Sequence, residues 1–471
     1  MLNTPLLNDW GGQAFPHLPG RKPVVGDVAS IRPGQPLQSI LERCGDLGPI
    51  FELKVFGQKF VFVAGAELAA ELSDEKRFEK ALSPALVALR DFAGAGLFTA
   101  YNDETDWELA HTLLMPAFTK AAMRRYHPIM LEVARELFGS WSGLDGPVDV
   151  AADMTRLTLE TISRTAFSQD FGSFTRDEPH PFVPAMVAAL TAGQRKGSLR
   201  TMPGAALLTR RIEKRNAHHQ AYVDDLLDRI IADRRAEPSD ASDAERDLLG
   251  IMLNTPHPET GERLDDLNIR HQILTFLVAG HETTSGALSF ALYYLSRHPE
   301  ALAAAQAEVD EILGPDRTAE PTFEQVPKFR YVRRVLDEGL RLWPTAPAFA
   351  RTPREELTLS TGHTMRPGDW AIVVLPMTHR DPAAWGETAD EFDPDRFTVE
   401  SSRGRTPQTY KPFGTGERSC IGRQFALHEA VLVLAMMLHR HDIAGDSAYD
   451  LQITERLTLM PEGLELVVTP R

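Results

Sequence analysis

Hydrophobic positions recur at helical spacing from about residue 103 to 306, with proline-rich breaks near 179–184 and 256–258. Before this stretch, proline- and glycine-rich loops alternate with short strand-like runs such as Phe60-Val61-Phe62-Val63. Residues 265–297 predict one long helix, apolar through its middle. Asp265 and Asp266 at its start, and Arg297 and His298 before Pro299 at its end, suit the helix dipole. Residues 331–343 predict another helix, stopped by Pro344. Strand-like segments follow at 357–360 and 370–375, then a helix over about 421–440, and alternating segments near 457–459 and 464–468. The order predicts a mainly α fold with small β-sheets. No flexible linker divides residues 1–471, so one unusually large domain is expected.

Hydrophobic residues make up 43% of the 471, ample for a large core. The formal charge of −16 argues against general nucleic-acid affinity. The N-terminus lacks a basic region followed by an apolar run, so no signal peptide is expected. The longest apolar stretches, 273–279 and 431–438, fall short of the roughly 18 residues that span a bilayer. A cytoplasmic protein with no membrane partner is the expectation. Two cysteines suggest neither a disulfide framework nor a metal cluster. Cys44, in the polar run Glu42-Arg43-Cys44-Gly45-Asp46, reads as an incidental thiol.

Cys420 is different. Phe413, Gly416, Arg418, Cys420 and Gly422 stand at the spacing F-x-x-G-x-R-x-C-x-G, just before an apolar helix pattern. Average residue usage gives such a match on the order of 10⁻⁴ times in a chain this long, which disfavours a merely structural thiol. The glycines let the backbone turn tightly and approach a flat cofactor with its N–H groups free to point at the sulfur. The helix start favours a thiolate, and Arg418 is suited to pair with a carboxylate. The motif resembles the haem-binding loop of the cytochrome P450 superfamily. That resemblance implies a P450 fold with haem b between a long distal helix and a proximal cysteine loop. Cys420 would be the iron ligand, and Phe413 and Arg418 haem contacts.

The middle of the long helix, Ala279-Gly280-His281-Glu282-Thr283-Thr284, resembles the superfamily's A/G-G-x-D/E-T motif. The Thr283 hydroxyl can donate and accept hydrogen bonds, and Glu282 offers a carboxylate for a proton relay. Both are therefore candidate catalytic residues for dioxygen scission, against the alternative that Thr283 bonds back to its own helix. His281 reads as a satisfied helix residue, since thiolate ligation is already supplied. Glu338 and Arg341, three apart on a helix, and Arg396 in Asp393-Pro394-Asp395-Arg396-Phe397 resemble a buried network behind the cysteine loop, with a folding role. Lys80, Trp107 and His111 resemble propionate partners of haem.

The likeness covers nearly the whole chain and is closest to the haem domain of the bacterial self-sufficient fatty-acid hydroxylase flavocytochrome. It is carried by 91–99, 153–159, 341–349 and 424–430. It implies that Phe98 stands over haem and that Leu86, Leu89, Leu190, Ala279, Ala346 and Leu457 line an apolar channel, with ordinary core packing as the alternative for each. The family's cationic and phenolic carboxylate anchor is missing, because Gln58 and Phe62 stand at the matching positions. Lys59 is one substitute. The segment 193–220 is another, with Arg195, Lys196, Arg200, Arg210, Arg211, Lys214 and Arg215 against Glu213, or 7 − 1 = +6. A solvated surface is its plainer reading.

No flavin- or nicotinamide-binding segment is visible, so no reductase domain is expected in this chain. Electrons would come from NADPH through FAD and FMN on a diflavin or flavodoxin-type reductase, fused or separate. Residues 402–424 carry Arg403, Arg405, Lys411, Arg418 and Arg423 against Glu417, or 5 − 1 = +4, a candidate docking face for an acidic partner. The expected function is a haem-thiolate monooxygenase that hydroxylates an apolar, fatty-acid-like small molecule with O2. Hydroxylation of another biosynthetic substrate remains an alternative. Thr283 disfavours a peroxide-driven hydroxylase, and the complete Glu282-Thr283 pair disfavours a non-catalytic haem sensor.

Overall fold

The helix Asp266–Arg297 is the axis around which the protein is built. Its start is fixed by Asp265, whose carboxylate accepts from the Asn268 N–H at 2.7 Å, a standard side-chain cap. The computed structural model describes residues 10–144, 146–176, 178–199, 204–237, 247–406 and 408–471. Most of the central helix is buried on all sides, because the helices Val150–Phe167, Arg330–Leu342 and Arg423–Arg440 pack around it. Glycine makes one of these approaches possible: a Cβ at Gly280 would sit 2.8 Å from Ile162. One turn away, the Thr158 hydroxyl donates to the His281 carbonyl at 3.0 Å and ties the two helices. The long helices Lys120–Trp141, Phe182–Leu199 and Ala205–Ala236 complete the helical layer.

The largest sheet has five strands in the order Ile50–Val55, Gln58–Val63, Ala371–Val374, Ala348–Pro353 and Phe78–Ala81. Side chains alternate across it. Val61 and Val63 enter a core with Trp10 and Phe15, while Phe60 and Phe62 face a separate core with Leu18, Ile40 and Phe51. Cys44 lies in this second core with none of its surface exposed, and burial raises its thiol to about 11. The helix Pro36–Cys44 turns its sulfur inward, which suits a thiol with no chemical role. Smaller sheets include a hairpin of Gln452–Glu455 with Leu459–Glu462, beside the central helix.

Predicted and observed helices agree closely. The region 331–343 forms Arg330–Leu342, and 421–440 forms Arg423–Arg440, because Gly422 serves as its N-cap. Glu338 and Arg341 are fully buried, with paired bonds of 2.6 and 2.7 Å. Arg341 also donates to the carbonyls of His379, Ala389 and Glu391, at 2.8, 2.5 and 2.9 Å. Arg396 approaches Glu338 at 3.5 Å and donates to the Trp385 carbonyl at 3.0 Å. The His379 ring in turn accepts from the Lys411 N–H at 3.0 Å, so the network reaches the start of the cysteine loop. Among the described residues no helix is long and apolar enough to cross a membrane.

Candidate functional site

The cysteine loop is held by its own backbone. The Cys420 N–H donates to the Phe413 carbonyl at 2.9 Å, and the Ser419 N–H to Gly416 at 3.0 Å. Gly414 and Gly416 have φ of 72° and 70°, where a side chain is strained. Gly416 also lies flat against the Glu75 carboxylate, which accepts from the Glu417 N–H at 2.9 Å. The Cys420 side chain is accessible, yet it lies deep inside the fold: it opens onto an internal cleft. Burial pushes the thiol up, opposed by the Gly422 N–H and by Arg423. A cationic partner at the sulfur would reverse that balance.

The central helix forms the opposing wall. Phe118 packs beside Gly422 and stacks on Phe276 of that helix, with centroids 5.9 Å apart. Within the otherwise buried stretch 272–292, Ala279 is exposed, and Gly280 and Thr283 are partly so. The Thr283 hydroxyl donates to the Ala279 carbonyl at 2.8 Å, which leaves its lone pairs as acceptors. Glu282 points elsewhere. It is buried, accepts from the Thr458 hydroxyl at 2.9 Å, and lies 3.8 Å from Arg456. Burial raises its carboxyl, against the pull of both partners. His281 is fully buried, with its Nδ1 at the Leu277 carbonyl, and burial lowers it to about 4.

At one side of the cleft three cations converge. Lys80 and Arg351 are directly opposite in the antiparallel pair Phe78–Ala81 and Ala348–Pro353, an unfavourable cross-strand placement for like charges. Arg351 donates to the Thr415 carbonyl of the cysteine loop at 3.3 Å. Arg418 donates to the Ala100 carbonyl at 2.6 Å and lies 4.4 Å from the Trp107 ring centroid, and Trp107 stacks on His111. Burial, with Arg418 and Arg351 nearby, holds the Lys80 amine well below its ordinary value. Burial and Arg418 also lower His111, against the pull of Glu417. Lys80 donates to the Phe98 carbonyl, Arg351 to Thr415, and Arg418 to Ala100 and Asn102. Among the described residues none of these cations has a carboxylate within ion-pair distance, and the Arg418 Nε has no partner. Buried Arg351 and partly exposed Lys80 and Arg418, mutually repelling beside an accessible thiol, fit the carboxylates of haem. Arg351 escaped the sequence reading, since only the strand register places it against Lys80.

The expected channel residues divide. Phe98 is 38% exposed, and Leu86, Ala346 and Leu457 are partly exposed. Leu89 and Leu190, at 5% and 3%, are instead packed into the main core. Gln58 and Phe62 are both buried, Phe62 stacked on Phe51 at 5.4 Å. Strand alternation sends Lys59 to the opposite face, with its Nζ 5.6 Å from the Phe15 ring centroid. Lys59 therefore does not replace the missing anchor beside Gln58 and Phe62. In the second basic segment, Lys196 pairs with Asp91 and Glu213 at 2.5 and 3.2 Å. Arg195, Arg210, Arg211, Lys214 and Arg215 are exposed to solvent, and Arg200 lies outside the described residues. The proposed docking face also shrinks. Arg403 and Arg423 are exposed, but Lys411 is buried, Arg418 faces the cleft, and Arg405 lies over Trp385 at 3.9 Å. Against Glu417 the exposed excess is 2 − 1 = +1.

The family model of cytochrome P450 matches residues 16–468. A bifunctional cytochrome P450/NADPH–P450 reductase of Bacillus cereus is 43% identical over 451 residues, covering 95% of this chain and 41% of the relative. Bifunctional cytochrome P450/NADPH–P450 reductase 2 of Bacillus subtilis is 44% identical over 439 residues, 92% of this chain and 40% of that protein. A self-sufficient cytochrome P450 monooxygenase of Phanerodontia chrysosporium is 41% identical over 457 residues, 95% of this chain and 42% of its own length. The chain thus spans about two fifths of the length of the curated relatives it matches.

Proposed function

The chain belongs to the cytochrome P450 family, and from that premise we propose that it is the haem domain of a monooxygenase that hydroxylates apolar, chain-like substrates of the fatty-acid class. Its electrons come from an NADPH-dependent flavoprotein reductase, fused or separate, as the names of its relatives suggest. The observation that carries the reading is the convergence of an accessible, deeply placed Cys420 with three cations that have no carboxylate partner among the described residues. Haem, when bound, supplies the activation of dioxygen. Cys420 would hold the iron, and Lys80, Arg351 and Arg418 would neutralise the haem carboxylates, with Trp107 and His111 packed beside them. Thr283 accepts a hydrogen bond in the cleft and steadies a proton donor there. Glu282, whose carboxyl burial shifts upward against the pull of Thr458 and Arg456, is a nearby carboxyl group behind the helix that can exchange protons with the cleft. Phe98, Ala279 and Ala346 shape an apolar wall that excludes water and orients the chain to be oxidised.

The missing anchor sets the substrate expectation. An exposed ion pair contributes about 1 kcal/mol or less, whereas each buried CH₂ contributes roughly 0.8 kcal/mol. Medium and long chains should therefore bind with little preference for a free carboxylate. The test loads the protein with haem and records the carbon monoxide difference spectrum. It then follows NADPH-coupled product with an added diflavin reductase, and compares acids with alcohols of equal length. Absence of the displaced thiolate band, or of product, refutes the reading. A preference for the acid of tenfold or more, about 1.4 kcal/mol, refutes its anchor-free part.

A further inference from the structure

The central helix makes a second set of contacts that none of these roles uses. Loop 94–99 leaves the helix Pro84–Ala93 and carries Phe98 to the cleft. The Ala95 N–H donates to the His271 Nδ1 at 3.2 Å, and the Leu97 N–H to the Gln272 Oε1 at 3.0 Å. The fit is close. Gly94 has φ +63°, and a Cβ there would overlap the His271 ring, while a Cβ at Gly96 would overlap the Thr275 hydroxyl. Gln272 is fully buried and is fixed by its own bond to Asn268 at 2.9 Å. The loop is closed by Thr99, whose hydroxyl donates to the Gly94 carbonyl at 2.6 Å, and by Arg90, which donates to the Thr99 carbonyl at 2.6 Å. His271, Thr275, Ala279 and Thr283 stand four apart, so they share one stripe of the helix.

We propose that His271, seconded by Gln272, is a positioning residue for substrate selection: it clamps the loop bearing Phe98 to the central helix and so fixes the aromatic wall of the cleft. The inference rests on the monooxygenase reading for its functional consequence, not for the clamp itself. Because the Ala95 amide is the donor, the Nδ1 holds a lone pair and the ring proton sits on Nε2. Protonating Nδ1 turns the acceptor into a donor and releases the loop.

Charged groups face this ring from each neighbouring element. Arg90 and Asp91 come from Pro84–Ala93, Glu104 precedes the helix Thr105–Leu114, and Asp265, Asp266 and Arg270 belong to the central helix region. Asp224, Asp228 and Arg235 stand across a cleft of about 950 Å³ on Ala205–Ala236. Most are paired: Arg90 with Glu104 at 2.6 Å, Arg235 with Asp266 at 2.5 Å, Arg270 with Asp224 at 3.3 Å and with Asp228, and Asp91 with Lys196. Burial first, then Arg90 and Arg270, holds the imidazole below its ordinary value, against Asp265 and Glu104. The neutral ring therefore clamps the loop at neutral pH, and the clamp is lost as pH falls through the depressed titration.

The experiment compares haem-loaded wild type, His271→Leu and His271→Asn, whose amide oxygen can replace Nδ1 as an acceptor that does not titrate. Hydrogen exchange over 94–99, corrected for intrinsic rates, should be about tenfold faster in His271→Leu at pH 7.5. The position of hydroxylation along a saturated chain should spread in that variant, with an unchanged carbon monoxide spectrum. As pH is lowered from 7.5 to well below the ordinary imidazole value of 6.5, exchange corrected for intrinsic rates should rise in wild type and stay flat in His271→Asn. Equal exchange and product pattern in wild type and His271→Leu overturns the proposal, as does a shared pH profile of wild type and His271→Asn. If His271→Leu fails to hold haem, the asparagine variant alone decides. A wild type that clamps the loop but forms no product sinks the functional reading and leaves the clamp standing.

Discussion

Glu429 offers a quantitative test of the packing behind the cysteine loop. It lies on the helix Arg423–Arg440 with none of its surface exposed, and neither carboxyl oxygen has a hydrogen-bond partner. The nearby Thr161 hydroxyl favours the charged form only weakly, because it already donates to the Leu157 carbonyl at 3.0 Å. Burial therefore dominates and pushes the carboxyl up to about 8 from an ordinary 4.5. Between these two values the folded chain keeps a proton that the unfolded chain loses. Stability must fall as pH rises through this window, and the loss is complete above the folded value. At about 1.36 kcal/mol per pKa unit, the whole shift corresponds to at most about 5 kcal/mol, and to about 3 kcal/mol at pH 7.

Glu429→Gln removes the titration and nearly preserves the shape. Other groups titrate alike in both proteins and cancel in the difference, provided they are distant. Urea denaturation at pH 5, 6, 7, 8 and 9 should show the variant gaining on wild type by roughly 1.4 kcal/mol per pH unit up to about pH 8, then levelling. A constant offset, either from a poorer fit or from the new amide, changes the intercept alone. A difference that is flat across the series would falsify the claim that Glu429 is held protonated in the folded protein.

Three further substitutions address the site and its support. Cys420→Ser should bind haem without the displaced thiolate band and lose monooxygenase activity, because an alcohol is a weak, mostly protonated ligand; retention of that band in the carbon monoxide spectrum would require another ligand. Thr283→Ala should still bind haem and substrate but release hydrogen peroxide in place of product, since the cleft loses its hydroxyl acceptor; equal product per NADPH in both proteins removes Thr283 from proton delivery. Arg341→Leu leaves Glu338 buried without its main partner and frees three carbonyls. It should cost about 3–5 kcal/mol in denaturant unfolding and lower haem retention; a cost below about 1 kcal/mol would show the network to be redundant.

The parts of this protein that the sequence made legible are those fixed by short-range chemistry. Asp265 before an apolar helical run announces a helix start by the side-chain cap that it forms. The cysteine loop is equally local, because glycines at fixed offsets are required by the turn and by close packing against Glu75. What escaped depends on the pairing of distant segments. Arg351 looks like any strand arginine until Phe78–Ala81 aligns it with Lys80. The helix-to-loop clamp joins residues 176 positions apart, Ala95 and His271, and nothing local to Gly94 and Gly96 signals the close approach they permit. Lys59 was misjudged by one step of strand alternation, which reverses the face of a side chain without altering its distance along the chain. What the sequence did not show of Cys44 is its burial: its polar neighbours occupy the outer face of a helix whose inner face, with Ile40, enters the core. A missing anchor charge at Gln58 and Phe62 is thus not made good by its neighbour in sequence. On the proposed function, selectivity in this cleft would rest on apolar shape, and hence on whatever holds Phe98 in place.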